Sequence, residues 1–478
     1  MNQPETASVI SPTTEISSAE YFAQRQLKQG TVGWLLLIGL GVAYVISGDF
    51  ASWNFGIAQG GWGGMFIATA LAALMYLCLC LSMSEMSTMM PTAGGGYSFA
   101  RAAFGPFGGY LTGTAILIEY AIAPAAIAVF IGGYCESLFG INGWMIYLAC
   151  YAIFMGIHLK GAGEALKIMF AITLVAAVAL VVFIGAMIPH FNAQNLFDIP
   201  VSTGVGASLF LPHGYLGIWA AVPFAIWFFL AVEGVPLAAE EAKDPAKSLP
   251  RGLIGAMLIL TAFAMLILFL GAGAAGASTL QNSGAPLVDA LVKVYGTNTW
   301  LATFVNFVGL AGLIASFFSI IYAYSRQIFA LSRAGYLPTS LSLTNKNKAP
   351  YLAIIIPGII GFLLSLTKEG DSLILIAVFG ATISYVLILL SHIKLRLSKP
   401  DMPRPYKTPG GIITSSIALV LAVAAVVAGF VVNPKVWFIA AGIYVVFIAY
   451  FLFYSRYHLV KGTPEEEFAN IKAAEQEL

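Results

Sequence analysis

Long apolar runs alternate with short polar segments along almost the whole chain. Each run is about 20 residues or longer, close to the length that an α-helix needs to cross the hydrocarbon core of a bilayer. The pattern predicts twelve transmembrane helices. They cover residues 31–60, 62–88, 107–138, 142–158, 166–189, 217–239, 252–275, 298–330, 351–367, 371–396, 411–432 and 436–457.

Composition agrees with this pattern. Of the 478 residues, 59% are hydrophobic and only 9% are charged, whereas soluble domains carry roughly 25% charged residues. The chain is therefore predicted to be an all-α polytopic membrane protein, whose surroundings are the lipid bilayer. Its four cysteines lie inside apolar runs without a CxxC pair, which favours small core residues over metal ligands or disulfides.

Positive charge is distributed unevenly between the two sides of the predicted helices. With the N-terminus inside, 20 of the 23 lysines and arginines fall in inner segments. Because inner loops of membrane proteins are enriched in lysine and arginine, both termini are predicted to be cytoplasmic. The expected location is the cell (inner) membrane.

Two of the predicted helices, spans 1 and 6, look interrupted. Span 1 contains Gly48 and Asp49 in the stretch YVISGDFASW, and span 6 contains Glu233 and Pro236 in WFFLAVEGVP. A carboxylate at membrane depth costs roughly 3 kcal/mol even on lenient insertion scales, so such acids are functional candidates. Broken spans five apart, each with an acid, indicate two inverted repeats of five helices.

This interpretation divides the chain into five parts. Residues 1–30 form a cytoplasmic N-terminal segment, and residues 31–189 form the first repeat with helices 1–5. Residues 217–396 form the second repeat with helices 6–10. Helices 11 and 12 occupy residues 411–457, and a cytoplasmic tail follows at 458–478.

Several classes of function are disfavoured by the sequence. The phosphate-binding pattern GxxxxGK[ST] does not occur, and no loop is long enough for a catalytic domain. A channel would show a repeated pore motif, a sensor would carry a signalling domain, and a membrane enzyme would need clustered catalytic histidines or metal ligands. No cofactor, metal or nucleic-acid partner is expected, so transport driven by a gradient is the best interpretation.

Four motifs resemble those of the amino acid–polyamine–organocation (APC) superfamily of permeases. They are SEMSTMMPTAGGGYSFARAAFGPFGGYLTG (84–113), AAEEAKDPAKSLPRG (238–252), SRQIFALSRAGYLP (325–338) and RPYKTPG (404–410). The resemblance implies a leucine-transporter-type 5+5 inverted-repeat core with discontinuous helices 1 and 6, plus two C-terminal helices. It also implies transport by alternating access.

Two further stretches resemble the bacterial ethanolamine permease branch. They are YVISGDFASWNFGIAQGG (44–61) and LIEYAIAPAAIAVFIGGY (117–134). In ordinary amino acid permeases a glycine stands at the position of Ile46 and an apolar residue at that of Asp49. The resemblance also implies that Trp227 is an aromatic gate over the substrate, and that Ala231 replaces a glycine.

Asp49 is predicted to be the counter-ion of the substrate. We expect it at the positive N-terminal end of the second half of span 1, where an amino acid would place its own carboxylate. An acid there repels a zwitterion and attracts an ammonium group. The predicted substrate-binding set is Ser47, Gly48, Asp49, Glu119, Trp227, Phe228, Phe229, Ala231 and Glu233.

Glu119 and Glu233 are also candidates for carrying a coupled proton. Three buried carboxylates exceed the charge of one cationic substrate, so one of them is expected to bind a proton. The alternatives are a structural hydrogen bond across the break for Glu233 and a capped buried carboxyl for Glu119. Some proton-coupled relatives use a lysine in span 5, where this chain has Ala176, so the coupled ion, proton or sodium, stays open.

The acids at the inner ends of the spans have a different predicted role. Glu85, Glu240 and Glu241 are interpreted as gate or loop-locking residues with basic partners. The predicted partners are Arg101, Lys243 and Arg251. The histidines near span ends are predicted to be interfacial polar residues, namely His158, His190, His213 and His392.

The sequence thus predicts a secondary transporter that imports ethanolamine, with cation coupling. The alternative is an APC permease for another amino acid or for a small amine or polyamine.

Overall fold

The computed structural model describes residues 27, 30, 32–297 and 299–460. The predicted cytoplasmic segments at 1–30 and 458–478 lie almost entirely outside the described residues. The described part is helical apart from its loops and one isolated parallel bridge between Val32 and Ala242.

Fifteen α-helices make up the described part of the chain. They are α1 (Trp34–Val45), α2 (Ser47–Phe50), α3 (Trp53–Met89), α4 (Gly96–Phe139), α5 (Trp144–Leu159), α6 (Ala162–Met187), α7 (Gly214–Trp227), α8 (Pro245–Ala275), α9 (Ala277–Leu280), α10 (Pro286–Tyr295), α11 (Trp300–Arg333), α12 (Tyr351–Ser365), α13 (Gly370–Ser398), α14 (Ile412–Val432) and α15 (Pro434–Phe453).

Nine helical segments of the described residues are long and apolar enough to cross a membrane. Three shorter apolar segments accompany them, at Trp34–Phe50, Trp144–Leu159 and Tyr351–Ser365. Each predicted span overlaps one of these segments, so the all-helical membrane fold is confirmed. The count of twelve crossings and the inverted-repeat layout stay predictions.

Glycine in the left-handed region turns the chain inside α3. Gly61 has φ 68°, and a Cβ atom there would lie 2.2 Å from Cγ of Pro212. Only glycine adopts this conformation in so little space. The turn separates the second half of span 1 from span 2, which the hydrophobic pattern had placed at 62–88.

The interior is built around α4, which packs along α13 and α11, while α3 packs along α7 and α8. The outermost helices keep large apolar side chains exposed, for example Val181 at 59% on α6 and Val446 at 69% on α15. Such surfaces suit a hydrocarbon environment. The buried centre, where span 1 meets span 6, positions the candidate site.

Candidate substrate site at the two helix breaks

The break in span 1 lies just after Asp49. Helix α2 ends at Phe50, Ala51 is extended with φ −152°, and Ser52 has φ 88° before α3 begins at Trp53. Positive φ is unusual for a serine and marks a constrained backbone. The break is confirmed, but its predicted position is wrong. Asp49 belongs to the first half of the span and not to the start of the second half.

The break in span 6 lies at Ala231. Helix α7 ends at Trp227, Ala231 has φ 77°, and a 3₁₀ helix covers Val232–Glu241. Glu233 therefore stands in the first turn of the second half. The positive helix start that the sequence had associated with Asp49 carries Glu233 instead.

The two breaks are in direct contact. A Cβ atom on Gly48 would lie 2.8 Å from the carbonyl oxygen of Trp227 and 3.1 Å from Cα of Phe228. Only a glycine allows the backbones of the two spans to approach so closely. Three members of the predicted set thus meet through backbone contact.

Ser47 joins the break to α11. Its hydroxyl lies 2.9 Å from the hydroxyl of Ser316, and Ser316 Oγ donates to the carbonyl oxygen of Tyr44 at 2.6 Å. Because Ser316 uses its one proton on Tyr44, Ser47 is the donor to Ser316. The sequence did not identify Ser316, since a serine within an apolar run gives no signal of its own.

The Asp49 carboxylate is fully buried. Neither of its oxygens has a hydrogen-bond partner among the described residues. Among the described residues, one side chain donates to Asp49, and it reaches the backbone: Trp53 Nε1 donates to the carbonyl oxygen at 3.2 Å. A buried polar group of this kind normally has a partner, so this carboxylate remains a candidate for contact with a ligand.

Glu119 and Glu233 form a second acidic group. Their carboxyl groups are neighbours, and the Tyr385 hydroxyl lies close to both. Tyr120 donates to Glu233 Oε1 at 3.4 Å, and the hydroxyls of Tyr76 and Tyr385 are 2.7 Å apart. Both oxygens of Glu119 and Oε2 of Glu233 lack a hydrogen-bond partner in the described chain. The tyrosines were missed because each stands alone in a different span.

The predicted aromatic residues of span 6 stand directly before its break at Ala231. Trp227, Phe228 and Phe229 are buried, and the ring of Phe229 lies 5.5 Å from that of Tyr76. The Trp227 Nε1 atom has no hydrogen-bond partner in the described residues. An indole N–H of this kind is available to an oxygen of a substrate.

The site is closed to bulk water. Asp49, Glu119 and Glu233 are each at most 3% exposed. On one side, Asn54 in α3 donates to the carbonyl oxygen of Ser283, in the loop before α10, at 2.8 Å. The described residues therefore shield the three carboxyl groups from bulk water.

The other side is sealed by ion pairs. Glu241 binds Arg326 at 3.0 Å and accepts from the Tyr322 hydroxyl at 2.5 Å, and Glu240 binds Arg333 at 2.6 Å. These acids had been predicted to pair with Arg101, Lys243 or Arg251. That prediction is wrong, because the end of the 3₁₀ helix at Glu240 and Glu241 lies against α11, whose arginines contact both acids.

Glu85 is held by a separate network. Arg396 and Arg404 contact its carboxylate at 2.5 and 2.9 Å, His392 Nε2 lies at 3.3 Å, and the Thr408 amide donates at 2.7 Å. Arg101 is again not the partner, since α13 and the loop after it supply the contacts. The network fixes the C-terminal end of α3 to that loop.

Of the four histidines that were predicted to be interfacial, two are buried inside the protein. His392 is buried against Glu85, and His158 is buried with Nε2 2.8 Å from the carbonyl oxygen of Phe318. His190 is exposed and His213 is partly exposed, as an interfacial location would require. All four cysteines are buried and free, which confirms their interpretation as core residues.

The buried charges fall into two classes. In the described chain, the acids at the predicted inner ends of the spans pair with arginines: Glu241 with Arg326, and Glu85 with Arg396. The acids at or beside the breaks have no basic partner there: Asp49, Glu233 and, on α4, Glu119. The described residues also contain no group of three or more histidines, cysteines or acids suited to a metal ion.

Comparison with known proteins places the chain in context. Residues 6–453 match the family model described as "Amino acid permease". The branched-chain amino acid permease BcaP of Bacillus subtilis is 27% identical over 412 residues, which are 80% of this chain and 84% of the relative. An uncharacterized transporter of Rhizobium meliloti is 27% identical over 392 residues, or 80% and 83% of the two chains. The aromatic amino acid transport protein AroP of Escherichia coli O6:H1 is 25% identical over 397 residues, or 79% and 84%.

Proposed function

The chain belongs to the amino acid permease family, and from this premise we propose that it imports ethanolamine, or a closely similar small primary amine. Members of this family are membrane transporters of small molecules and not enzymes. The proposal adds a cationic substrate and alternating access in the cell membrane with both termini cytoplasmic.

One observation carries the proposal: three buried acids, Asp49 and Glu233 at the helix breaks and Glu119 on α4, have no basic partner in the described chain. A carboxylate in an apolar interior is unfavourable unless it is protonated or paired with a cation. The buried arginines are already engaged, since Arg326 binds Glu241 and Arg333 binds Glu240. A cationic substrate is therefore the natural partner.

A zwitterionic amino acid fits these charges less well. Its carboxylate would seek the positive start of a half-helix. The start in span 6 carries Glu233 in its first turn, and the start of α3 at Trp53, which has no acid in its own first turn, follows Asp49 by four residues. Asp49 lies on the facing break and adds a second negative charge. Ethanolamine has one ammonium group and no carboxylate, so it meets attraction at both positions.

The remaining polar groups suit a hydroxyl. Ser52 Oγ and Trp227 Nε1 are buried and have no hydrogen-bond partner among the described residues. The Trp227 N–H donates to an oxygen, and the serine hydroxyl either donates or accepts. In our proposal they hold the hydroxyl of ethanolamine while Asp49 holds the ammonium, and the faces of Trp227 and Phe228 add cation–π attraction of roughly 1–2 kcal/mol.

Glu119 and Glu233 are proposed to couple transport to a proton. Two neighbouring carboxyls in a closed site cannot both ionise without strong repulsion, so such pairs share a proton. Ala176 is buried in span 5, where the resemblance expects a lysine in some proton-coupled relatives. A carboxyl pair would supply the titrating group that this position lacks, with sodium coupling as the alternative.

The second candidate function is transport of an amino acid or of a polyamine. The names of two relatives refer to branched-chain and aromatic amino acids, which favours the first of these. The separation of Asp49 from the Glu119–Glu233 group provides two anionic positions, which favours a diamine. Binding measurements separate these possibilities.

The direct test is thermal stabilisation of the purified protein by each compound. A ligand that binds only the folded state raises its stability in proportion to ln(1 + [L]/Kd) under a linkage relation. We expect ethanolamine to raise the unfolding midpoint at concentrations where leucine, phenylalanine and alanine do not. Stabilisation by leucine or phenylalanine without an effect of ethanolamine would show that the substrate is an amino acid, and a larger effect of putrescine would favour a polyamine.

A further inference from the structure

A groove opens at the surface near the start of α8, away from the helix breaks. Its cavity measures about 530 Å³. It lies between the beginning of α1, the first turns of α8 and the loop that joins α13 to α14. These three segments are far apart in sequence, so the groove is a product of the tertiary fold.

The walls of the groove are apolar and exposed. Trp34 is 45% exposed and Leu258 is 56% exposed, and Ile254 stands one turn before Leu258 on α8. Tyr406 lines the opposite wall from the loop. Tryptophan and tyrosine are enriched where membrane proteins cross from hydrocarbon to water, so these residues mark the groove as lying at the membrane boundary.

Two basic side chains line the same groove. Arg251 is exposed and makes no hydrogen bond or ion pair within the described residues. Lys247, one turn earlier on α8, pairs among the described residues with Asp244 alone, at 3.6 Å, and the two side chains are 73% and 52% exposed. A pair at this distance and exposure is weak, so both cations are available to an anion.

We propose that this groove binds a phospholipid with an anionic headgroup, such as phosphatidylglycerol. Its phosphate contacts Arg251 and Lys247, and an acyl chain lies along Leu258 and Ile254. Basic pockets between helices at the cytoplasmic face of a membrane attract anionic headgroups. A soluble anion would use the cations but would leave the apolar walls without a partner.

Bound lipid would connect parts of the protein that belong to different helices. Trp34 begins the first half of span 1, whereas Lys247 and Arg251 belong to α8 and Tyr406 to the loop after α13. One lipid molecule thus contacts all three segments. It stabilises their arrangement in the folded protein independently of which substrate occupies the helix breaks.

The test is thermal unfolding of the purified full-length protein in detergent with added lipid. We expect phosphatidylglycerol to raise the unfolding midpoint more than phosphatidylcholine does, with the difference shrinking at high salt because screening weakens surface charge pairs. The double variant Lys247→Gln, Arg251→Gln should lose most of this difference. A matched control is the double variant Lys293→Gln, Lys435→Gln, which removes two exposed lysines from the predicted outer loops. This control should keep the difference between the two lipids.

Three outcomes would overturn the proposal. Equal responses of the wild-type protein to the two lipids would remove the need for an anionic headgroup. A full phosphatidylglycerol effect in the double variant would place the lipid elsewhere. Inorganic phosphate that reproduces the effect would identify a site for a free anion. Because both substituted residues are exposed, the double variant should fold, and a symmetric peak in size-exclusion chromatography checks this.

Discussion

Gly48 and Trp227 hold the two broken spans in backbone contact. A Cβ atom at Gly48 would stand 2.8 Å from the Trp227 carbonyl oxygen, which is backbone and cannot rotate away. The absence of a side chain at this position therefore sets the distance between the two halves of the site. Asp49 is the next residue along the chain, so its carboxylate is placed by the same contact.

We expect Gly48→Ala to impair transport strongly. The added methyl group must push span 1 away from span 6, and overpacking of this kind costs about 1–3 kcal/mol. Initial uptake rates in proteoliposomes measure the effect. The control is Gly442→Ala on α15, where a Cβ would meet no atom within 4 Å. Uptake by Gly48→Ala at the control rate would show that the close contact is not needed.

We expect Asp49→Asn to weaken substrate binding. A hydrogen bond to a charged group contributes about 1.5–3 kcal/mol, which corresponds to about a ten- to hundredfold loss of apparent affinity. Competition for ethanolamine uptake measures it. Asp371→Asn is the matched control, because this exposed acid at the start of α13 lies outside the site. Wild-type affinity in the Asp49→Asn variant would contradict the counter-ion role.

The hydrophobic pattern was sufficient to predict the apolar helices and both breaks, because helix length and glycine or proline content are local properties. The exact side of the break on which Asp49 falls was not predictable. It depends on the short helix α2, which extends the first half by one turn through contact of Phe50 with α11 at Gly309 and Gly312. The sequence cannot show such a contact between distant segments.

Partner choice was also beyond the sequence. Arg326 and Glu241 are 85 positions apart, and several other arginines and lysines were equally near the inner ends of the spans. For Glu119 and Glu233 the sequence predicted only that the buried acids outnumber the charge of the substrate. It did not predict that these two carboxyl groups are neighbours. Its tyrosine surroundings became visible when four spans were placed together.

We expect substitutions in the Glu119–Glu233 pair to abolish accumulation of substrate while leaving substrate exchange intact. Glu119→Gln and Glu233→Gln each remove a titrating group with little change of shape. The variant that lacks the proton carrier should still exchange internal for external substrate but should not concentrate it under an imposed pH gradient. Glu369→Gln, an exposed acid before α13, is the control. If both site variants accumulate substrate normally, the pair does not couple, and sodium dependence becomes the next measurement.

We expect the protein to lose less stability when both partners of the Glu241–Arg326 ion pair are replaced than when Glu241 alone is replaced. Glu241→Gln leaves Arg326 buried with an uncompensated charge, and breaking a buried ion pair from one side costs about 3–5 kcal/mol. The double variant Glu241→Gln, Arg326→Gln should therefore be more stable than Glu241→Gln alone. Thermal unfolding in detergent measures the order. A double variant that is less stable than Glu241→Gln alone would contradict this account of the Glu241–Arg326 ion pair.

The central claim, that the site takes a small primary ammonium compound, is tested most directly by counterflow in proteoliposomes loaded with ethanolamine. A primary ammonium has three N–H donors, and each buried group left without its partner costs about 1–3 kcal/mol. Labelled ethanolamine should therefore enter these vesicles, and unlabelled compounds added outside should inhibit its entry. The expected order of inhibition is ethanolamine, then N-methylethanolamine, then choline, and serine and leucine should inhibit weakly. Choline that matches ethanolamine would contradict a site built on hydrogen bonds, and leucine or serine that inhibits more strongly than ethanolamine would contradict the claim itself.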